Sequence, residues 1–494
     1  MKKIFLTIAF AALAMGLAFS SNAQEKEKEK EMKTGWSFGV LPTATYSIDN
    51  GFQAGLFGDV YYYGDGSTYP DPIHKISWEG SYFTTSQRQR YYLAYDSKYL
   101  IPGMRINASL TYVRDPLYSF WGFNGPASVD SGYSQSFTSV VYPIWSNRGT
   151  APNLNYFGMS RNMFRALANV QGRVTDHLNW AAGVNFWHWE LGDMRDPAVD
   201  ANKDGNKTNY DHNVTLFRKY QDLGLIKAEE AAGGMSVEVN AGFVFDTRDM
   251  EAAPNSGIWA EAYLNGAPYS GNPATGLYSP YLKACVYFRQ YIDIPIHIPA
   301  GDPVFAYRLA WQQTIAGETP FYMVQNVPLL VQRNMISEGF GSSNTIRGLR
   351  ENRILAEGMA WVNTELRVKL VNFKLFNQYF YVAVNPFFDA GIITKPYRQK
   401  EFQKLFSNSG VGKLYDARLI SDDFDWSEAK NQLAPGYDGL IYDNSHLKDI
   451  IMSSGLGLKI AMNQNFIVSA EFAKCFTRGL DGGLWIGIGI NYQF

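Results

Sequence analysis

The sequence has few charged residues and almost no cysteine. Charged residues make up 18% of the 494 residues and the net charge is −2, so no excess of one sign points to nucleic acid or another highly charged partner. Cys285 and Cys475 lie far apart in the chain, which excludes a disulfide framework and a Cys-x-x-Cys metal site.

Long apolar runs and enzyme motifs are also missing. Beyond residue 23, no uncharged apolar stretch reaches the ~18 residues that a membrane-spanning helix needs. The sequence contains no Gly-x-Ser-x-Gly elbow, no phosphate-binding P-loop and no His-Glu-x-x-His zinc motif, and its six histidines are scattered. We therefore predict that the protein is not an enzyme and needs neither a nucleotide nor an organic cofactor.

The amino terminus is typical of an exported protein. Two lysines precede the apolar run Ile4–Phe19, and small residues at Ser21 and Ala23 follow it. This pattern predicts a secretory signal peptide over residues 1–23. Residues 24–34 contain the alternating Glu-Lys run and are predicted to be a charged, flexible segment. Eleven residues are too few to form a domain of their own.

From Gly35 onward, hydrophobicity alternates with a period of two, which indicates β-strands. Between Met104 and Tyr112, for example, every second residue is apolar and the others are polar. Aromatic residues at 15% and 45 glycines suit the girdles and tight turns of a membrane barrel. The fold class predicted for 35–494 is all-β, an antiparallel transmembrane β-barrel of about 16 strands, starting near Trp36, Phe52, His74, Gln89, Met104, Met163, Leu178, Met235, Ile258, Tyr278, Val304, Met359, Tyr379, Ile451, Asn465 and Leu484.

The connections between these segments alternate in length. Long ones are predicted at 114–160, 192–234, 321–357 and 395–450, and short ones between them. An even number of strands places both termini on one side, so we expect short periplasmic turns and long external loops throughout. The last strand alternates up to Phe494, and a terminal aromatic residue resembles the signal that directs barrels to their assembly machinery. The predicted location is the bacterial outer membrane.

A short motif in the sixth long loop, Ile346-Arg347-Gly348-Leu349, points to a family. It resembles the loop motif of the BamA/TamA-type outer-membrane assembly and secretion superfamily, in which an aromatic residue occupies the place of Leu349. The stretches Asn363–Arg367 and Phe387–Gly391 follow in the order found in that family. The resemblance extends over 35–494. It implies that the sixth surface loop folds into the lumen. Relatives usually carry POTRA domains before the barrel, but the short segment 24–34 leads us to expect a member without them.

A second part of the resemblance lies in a predicted periplasmic turn. Asp246, Arg248 and Asp249, followed by Pro254 and Gly257, are similar to the family's turn between the eighth and ninth strands. Each motif is short, but all of them fall on the expected strands and sides.

The residues of the loop motif also suggest a physical contact. By parity, Glu365 and Asp389 lie on the polar, lumen-facing sides of neighbouring strands. The planar fork of Arg347 suits two carboxylates, and Gly348 lets the loop approach the wall closely. We call Arg347, Gly348, Glu365 and Asp389 the loop latch. Two interpretations remain: a latch that couples the loop to the wall, or a static plug.

The strands that must close the barrel carry glycine. Gly35 and Gly39 lie at the first strand, and Gly487 and Gly489 precede Phe494 in the last. Glycine weakens strand pairing and packing, so this lateral seam could open towards lipid. The alternative is that the glycines merely permit the strands to bend.

One loop has the spacing of a calcium site. Oxygen-bearing side chains occupy positions 1, 3, 5, 9 and 12 around a central glycine: Asp200, Asn202, Asp204, Thr208 and Asp211. Asp211 is shorter than the usual glutamate, which makes bidentate ligation harder. The candidate is either a Ca²⁺ site in an extracellular loop or a polar surface turn.

The leading functional hypothesis is a barrel that moves or inserts polypeptides, or handles lipid, through a loop latch and a lateral seam. Its partners would be outer-membrane lipids, unfolded outer-membrane or secreted proteins, and periplasmic accessory proteins. Two alternatives remain. One is a transport pore or lipid-handling barrel of the same fold without insertase activity, and the other is a surface receptor or adhesin acting through its long loops.

Isothermal titration of Ca²⁺ into the purified protein separates the two interpretations of residues 200–211. A calcium loop predicts saturable heat at or below millimolar Ca²⁺ that is lost when Asp200 and Asp204 are replaced by asparagine. Absence of heat at millimolar Ca²⁺ identifies a polar turn.

Overall fold

The computed structural model describes most of the chain between Lys33 and Ile490. The described residues are 33–47, 49–69, 71–125, 157–194, 215–222, 224–250, 253–296, 298–330, 335–341, 344–375, 378–401, 450–462, 466–477 and 484–490. The predicted signal peptide, residues 24–32 and the predicted metal ligands Asp200, Asn202, Asp204, Thr208 and Asp211 lie outside the described residues, as does Phe494.

The described part of the chain is built almost entirely from strands. In chain order the elements are β1 (Trp36–Ser47), β2 (Gly51–Tyr62), β3 (His74–Phe83), β4 (Gln89–Ile101), β5 (Met104–Ser119), β6 (Gly158–Arg173), β7 (Leu178–Asp193), α1 (Leu216–Asp222), β8 (Gly233–Asp246), β9 (Gly257–Asn272), β10 (Leu277–Tyr278), β11 (Tyr281–Asp293), β12 (Val304–Gly317), α2 (Phe321–Val324), β13 (Asn326–Leu330), β14 (Met335–Glu338), β15 (Gly358–Leu375), β16 (Gln378–Lys395), β17 (Ile451–Met462), β18 (Phe466–Cys475) and β19 (Trp485–Ile490).

Sixteen of these strands form one closed antiparallel barrel. Strands that are neighbours in the wall follow one another in the chain. The two-residue β10 and the strand β11 both pair with β9, so we count them as one wall strand. The hairpin β13–β14 is a separate sheet within the connection from β12 to β15. The barrel closes where β1 meets β19, with Tyr46 opposite Ile488 and Ser47 opposite Gly487. The prediction of a sixteen-strand antiparallel barrel is confirmed.

The strands place apolar side chains outside and polar ones inside. On β5, Leu110 is 47% exposed, whereas its neighbour Ser109 is 5% exposed and Asn107 is 8% exposed. Other wall strands repeat this with exposed Leu56, Leu93, Val184, Leu264, Leu309 and Leu456. Because a strand turns successive side chains to opposite faces, the period-two pattern produces an apolar exterior and a polar lumen.

Most strand starts agree with the sequence prediction, and β6 is the clear exception. It was expected to begin near Met163 but begins at Gly158. Its added residues, Gly-Met-Ser-Arg-Asn, lack clear alternation because this end of the strand is covered by protein: Met159 and Arg161 are 1% and 2% exposed. The hydrophobic pattern therefore marks only the part of the strand with one apolar and one polar side.

The expected alternation of connection length is wrong at the first four strands and again between β8 and β12, where the brief connection 273–276 lies between the longer connections 247–256 and 294–303. We call the end of the barrel with connections 120–157, 194–232, 318–357 and 396–450 the long-loop end, and the other the short-turn end. The connection 63–73 lies at the short-turn end, whereas the brief connections 48–50 and 84–88 lie at the long-loop end.

The structure gives a physical reason for the two brief connections. Asn50 Nδ2 and Arg88 Nη1 donate to the carboxylate of Glu351, over 2.6 and 3.0 Å. Glu351 belongs to the connection that enters the barrel, so short turns at these two places leave it room and anchor it.

Aromatic side chains from several connections pack together at the long-loop end. This aromatic cap consists of Phe120, Phe123, Phe217, Tyr220, Phe321 and Tyr397, all 5% exposed or less. Its rings meet mostly edge to face, as Phe123 and Tyr397 do with centroids 4.7 Å apart. No helix among the described residues is long and apolar enough to cross a membrane.

Cysteine cross-linking tests the closing register. With Cys285 and Cys475 replaced by alanine, the pair Tyr46→Cys and Ile488→Cys should form a disulfide on mild oxidation, because directly opposed Cβ atoms lie ~4.5–5.5 Å apart. The pair Ser47→Cys and Ile488→Cys should not, since those side chains point to opposite faces. Gel mobility without reductant reports the result, and efficient cross-linking of the second pair alone would overturn the register.

Candidate functional site

The described residues of the connection from β12 to β15, which are 318–330, 335–341 and 344–357, fold into the lumen. The hairpin β13–β14 begins this lumen loop, and a further bridge joins Phe340 to Ile354. Ile346, Leu349 and Ile354 are fully buried in an apolar cluster with wall residues. This packing turns residues 344–350 towards the inner faces of β15, β16 and β18.

Arg347 makes the central contact of the loop with the wall. Its backbone amide and Nε donate to Asp389 Oδ2 over 3.0 and 2.9 Å, and its Nη2 donates to Oδ1 over 2.8 Å. Both side chains are fully buried. A planar fork facing a carboxylate fixes the direction of both groups, so this pair sets where the loop lies as well as neutralising charge.

The same guanidinium reaches two further carboxylates. Nη1 lies 3.1 Å from Glu365 Oε2 on β15 and 3.4 Å from Glu471 Oε1 on β18. Its central carbon lies 3.6 Å from the ring centre of Phe387. The structure thus brings together Arg347, Glu365 and Asp389, three of the four predicted latch residues, and adds Glu471.

Glu365 is shared between the loop and the wall. Besides Arg347, it accepts from Lys459 Nζ over 2.8 Å and from Arg367 Nε over 3.1 Å, and Asn385 also donates to it. We call Arg347, Arg367, Lys459, Glu365, Asp389 and Glu471 the latch network. With three cations and three carboxylates it has no net formal charge.

Gly348 and Gly391 make the close approach sterically possible. Gly348 has a φ of +91°, and a Cβ there would lie 3.1 Å from the carbonyl carbon of Lys474 on β18. A Cβ on Gly391 of β16 would lie 2.6 Å from Cδ1 of Ile346. One glycine permits the loop to turn against the wall and the other gives the loop a recess.

The loop has additional attachments on other strands. Arg308 of β12 donates to Asn344 O over 2.7 Å, and Asn363 of β15 donates to Thr345 O over 2.6 Å. On the opposite wall, Nη2 of Arg161 on β6 donates to both carboxylate oxygens of Glu338 on β14, over 2.7 and 2.6 Å. The lumen loop is therefore held from both halves of the barrel.

The predicted turn motif lies at the short-turn end, between β8 and β9. Arg248 forms a fork pair with Asp246 over 2.9 and 3.0 Å and stacks on Trp259 at 4.0 Å. A Cβ on Gly257, whose φ is +103°, would lie 2.4 Å from a backbone oxygen, which explains the glycine.

Asp249 organises the tip of this turn. Its carboxylate accepts from the backbone amides of Met250, Asn255 and Ser256. Partial burial acts against ionisation, but hydrogen bonds from the Asn255 side chain and from Ser256 and Asn255 amides hold the Asp249 pKa below its usual value. The carboxylate therefore remains an acceptor at neutral pH.

The turn motif and the latch network touch. Nη1 of Arg367 donates to Pro254 O over 3.4 Å, while Nε of the same residue binds Glu365. The β8–β9 turn therefore contacts β15 at the short-turn end of the lumen. Sequence reasoning identified the two motifs separately; their shared contact was not predicted, because nothing in the spacing places β8–β9 opposite β15.

The predicted seam glycines lie at the closing strands. Gly35 precedes β1 with a φ of +66°, and a Cβ on Gly35 or Gly39 would meet nothing within 4 Å. On β19, a Cβ on Gly487 would lie 2.5 Å from the ring of Trp485, and one on Gly489 would lie 3.7 Å from Ser469 Oγ. Gly487 therefore leaves room for the indole of Trp485, whereas none of the described residues would lie within 4 Å of a Cβ on Gly35 or Gly39.

The seam is short where it can be described. β1 pairs with β2 along all twelve of its residues but with β19 at two positions among the described residues. As for metals, no group of three or more potential ligand side chains suited to an ion occurs within the described ranges.

No family model matches the chain, and no curated protein matches it. Among solved structures, it is similar to BamA from Haemophilus ducreyi lacking POTRA domains 1–3, with 13% identity, a TM-score of 0.49, and coverage of 93% of this chain and 70% of that one. It is also similar to CdiB from Escherichia coli, with 9% identity, a TM-score of 0.49, and coverage of 93% and 63%. CdiB from Acinetobacter baumannii aligns at 12% identity and a TM-score of 0.43, over 93% and 60%. The chain thus spans less than two thirds of each CdiB structure.

Replacing Arg347 by alanine should destabilise the barrel strongly. It leaves three buried carboxylates without their shared cation, a change that typically costs about 3–5 kcal/mol. Urea unfolding in detergent micelles, followed by tryptophan fluorescence, measures the loss. The control is Arg105→Ala, which removes a fork pair with Asp96 whose side chains are 21% and 28% exposed, and it should cost about 1 kcal/mol or less. Equal losses would contradict the central role of Arg347.

Replacing Gly348 by alanine tests the position of the loop against the wall without removing any charge from the latch network. The added Cβ meets a left-handed backbone and the Lys474 backbone, which together should cost about 1–3 kcal/mol. Gly276→Ala is the control, because its φ is +76° with nothing within 4 Å of an added Cβ. The same unfolding measurement applies, and a loss no larger than that of the control would mean that the loop does not press against β18.

Proposed function

We propose that this chain is a bacterial outer-membrane barrel that translocates or inserts polypeptides, with the lumen loop as a gate. The observation that carries the proposal is the fully buried Arg347, which ties the lumen loop to two adjacent wall strands and to β18. The proposed activity needs no enzyme chemistry, organic cofactor or nucleotide.

The exterior supports placement in a bilayer. Large apolar side chains on successive wall strands, among them Leu110, Leu309 and Leu458, are 42–49% exposed although they lie on regular strands. An apolar band around a closed barrel is stable against lipid tails and unstable in water. Outer-membrane lipids are therefore the proposed surroundings of the barrel.

The latch network supports a gate with two states. Withdrawal of Arg347 would remove the cation that binds the buried carboxylates of Asp389 and Glu471, whereas Glu365 would keep Arg367 and Lys459. Partial withdrawal of the loop is therefore costly, whereas complete withdrawal opens the lumen and lets water solvate the wall charges. Such all-or-none behaviour suits a gate that opens when a partner or an incoming polypeptide supplies the energy.

The seam supports a lateral exit. Among the described residues, β1 and β19 form two residue pairs, Tyr46 with Ile488 and Ser47 with Gly487. By comparison, β1 and β2 form twelve. Within the part of the chain that the structure describes, β1–β19 is therefore the pairing of consecutive wall strands with the fewest backbone pairs, and we propose it as the place where the wall separates. Clients under this proposal are unfolded outer-membrane or secreted polypeptides, delivered by periplasmic accessory proteins.

A transport pore of the same fold, without insertase activity, is the second candidate. The polar lumen favours it: Asn169, Asn240 and Asn265 are buried on inward faces of β6, β8 and β9. In the described state the lumen loop and the aromatic cap obstruct that path, so such a pore also requires the loop to move. The two candidates therefore differ in client folding and not in loop motion.

Planar-bilayer conductance tests the gate. Wild type should be mostly closed, and Arg347→Ala should show frequent large openings, since the loop loses its main attachment. Arg105→Ala should behave as wild type because its pair with Asp96 lies on β4 and β5. Equal open times for wild type and Arg347→Ala would contradict a gating role.

Client folding separates the two candidates. The protein is placed in liposomes and folding of an added unfolded barrel protein is followed by protease protection. The proposal predicts faster folding with wild type than in empty liposomes, and no acceleration with Arg347→Ala. If wild type does not accelerate folding although Arg347→Ala opens in bilayers, the pore becomes the working function.

A further inference from the structure

A pocket of about 60 Å³ lies at the short-turn end of the lumen, just beyond the latch network. Arg367 and Lys369 of β15 and Lys459 of β17 contribute to its lining, as does Asp302 before β12. The β8–β9 turn forms the facing wall with Met250 and Pro254 among its residues. The pocket therefore lies between the two motifs that Arg367 connects.

The charges around the pocket are unevenly distributed. Three cationic side chains and one carboxylate line it. Two of those cations, Arg367 and Lys459, hold Glu365 from its pocket side, whereas the other carboxylates of the latch network lie deeper, around Arg347. A group entering from the short-turn end therefore meets three cations and one carboxylate, Asp302, before it reaches the carboxylates around Arg347.

Lys369 adds a cation that the latch network does not use. Its Nζ lies 5.4 Å from the ring centre of Tyr381, which also lines the pocket. A Cβ on Gly301 would lie 3.6 Å from the same Nζ, so the ammonium sits between an aromatic ring and backbone. This arrangement directs the lysine to the pocket and restricts its motion.

The size and walls of the pocket define what fits. A volume of about 60 Å³ is several times the ~10–15 Å³ that a cavity needs to hold one water molecule, so a small charged group such as a carboxylate or a phosphate has room there. Pro254, Val304, Ala383 and Tyr381 provide apolar and aromatic surface beside the cations. The remainder of a ligand would extend out of the mouth along these walls.

We propose that this pocket binds a single anionic group, a carboxylate or a phosphate, carried on an apolar or aromatic body that enters from the short-turn end. Arg367, Lys369 and Lys459 would contact the anion, and Tyr381 and Pro254 would contact the body. The site shares Arg367 and Lys459 with the latch network, but binding to it can be measured without any gating activity. Its occupant would compete with Glu365 for two cations, so binding would loosen the wall side of the latch network.

Calorimetry on the detergent-solubilised protein tests the site with three probes of similar shape. Phenylacetate and phenyl phosphate should give saturable heats, whereas the neutral phenylacetamide should not. Whichever anion binds more tightly identifies the preferred group. No saturable heat from either anion, or equal binding of the amide, would overturn the proposal.

Two matched lysine variants locate the binding. Lys369→Gln should weaken binding of the preferred anion about tenfold, the size expected for one charge-assisted hydrogen bond. Lys374→Gln is the control, because Lys374 also lies on β15 with its Nζ 5.3 Å from a tyrosine ring, that of Tyr379, but does not line the pocket. Equal affinities for the two variants would place the anion elsewhere and overturn the assignment.

Discussion

The structure depends on one buried guanidinium. Arg347 arrives on a loop, yet its three carboxylate partners come from β15, β16 and β18. An unpaired charge at any of these positions would be very costly in an interior that excludes water. The wall carboxylates therefore require the loop, the loop arginine requires the wall, and the lumen is filled as a consequence.

This requirement extends to both ends of the barrel. At the long-loop end, Glu351 of the same loop binds Asn50 and Arg88, which lie in two brief connections. At the short-turn end, Arg367 donates hydrogen bonds both to Glu365 and to the carbonyl oxygen of Pro254. Contacts thus connect the lumen loop to both ends of the barrel, and we expect displacement of the lumen loop to disturb the β8–β9 turn.

Much of the fold could be predicted from the sequence because alternation reports the two environments of a strand. The pairing of Arg347 with Asp389 and Glu365 was also predictable, since parity sets which residues face the lumen. Glu471 and Lys459 were missed because β17 and β18 are not adjacent to β15 in the wall, and only the curvature of the wall around the lumen brings their side chains to Arg347 and Glu365. The length of the first connection, 48–50, was mispredicted for a similar reason. Its residue Asn50 contacts Glu351, which lies some 300 residues away in the chain.

Hydrogen exchange of the lumen loop, read by mass spectrometry, tests the central claim most directly. Peptides covering residues 344–357 should be strongly protected in wild type and should exchange much faster in Arg347→Ala, while peptides from β5 and β6 should change little. Rapid exchange of the loop in wild type, or the same protection in both proteins, would contradict the claim that Arg347 holds the loop in the lumen.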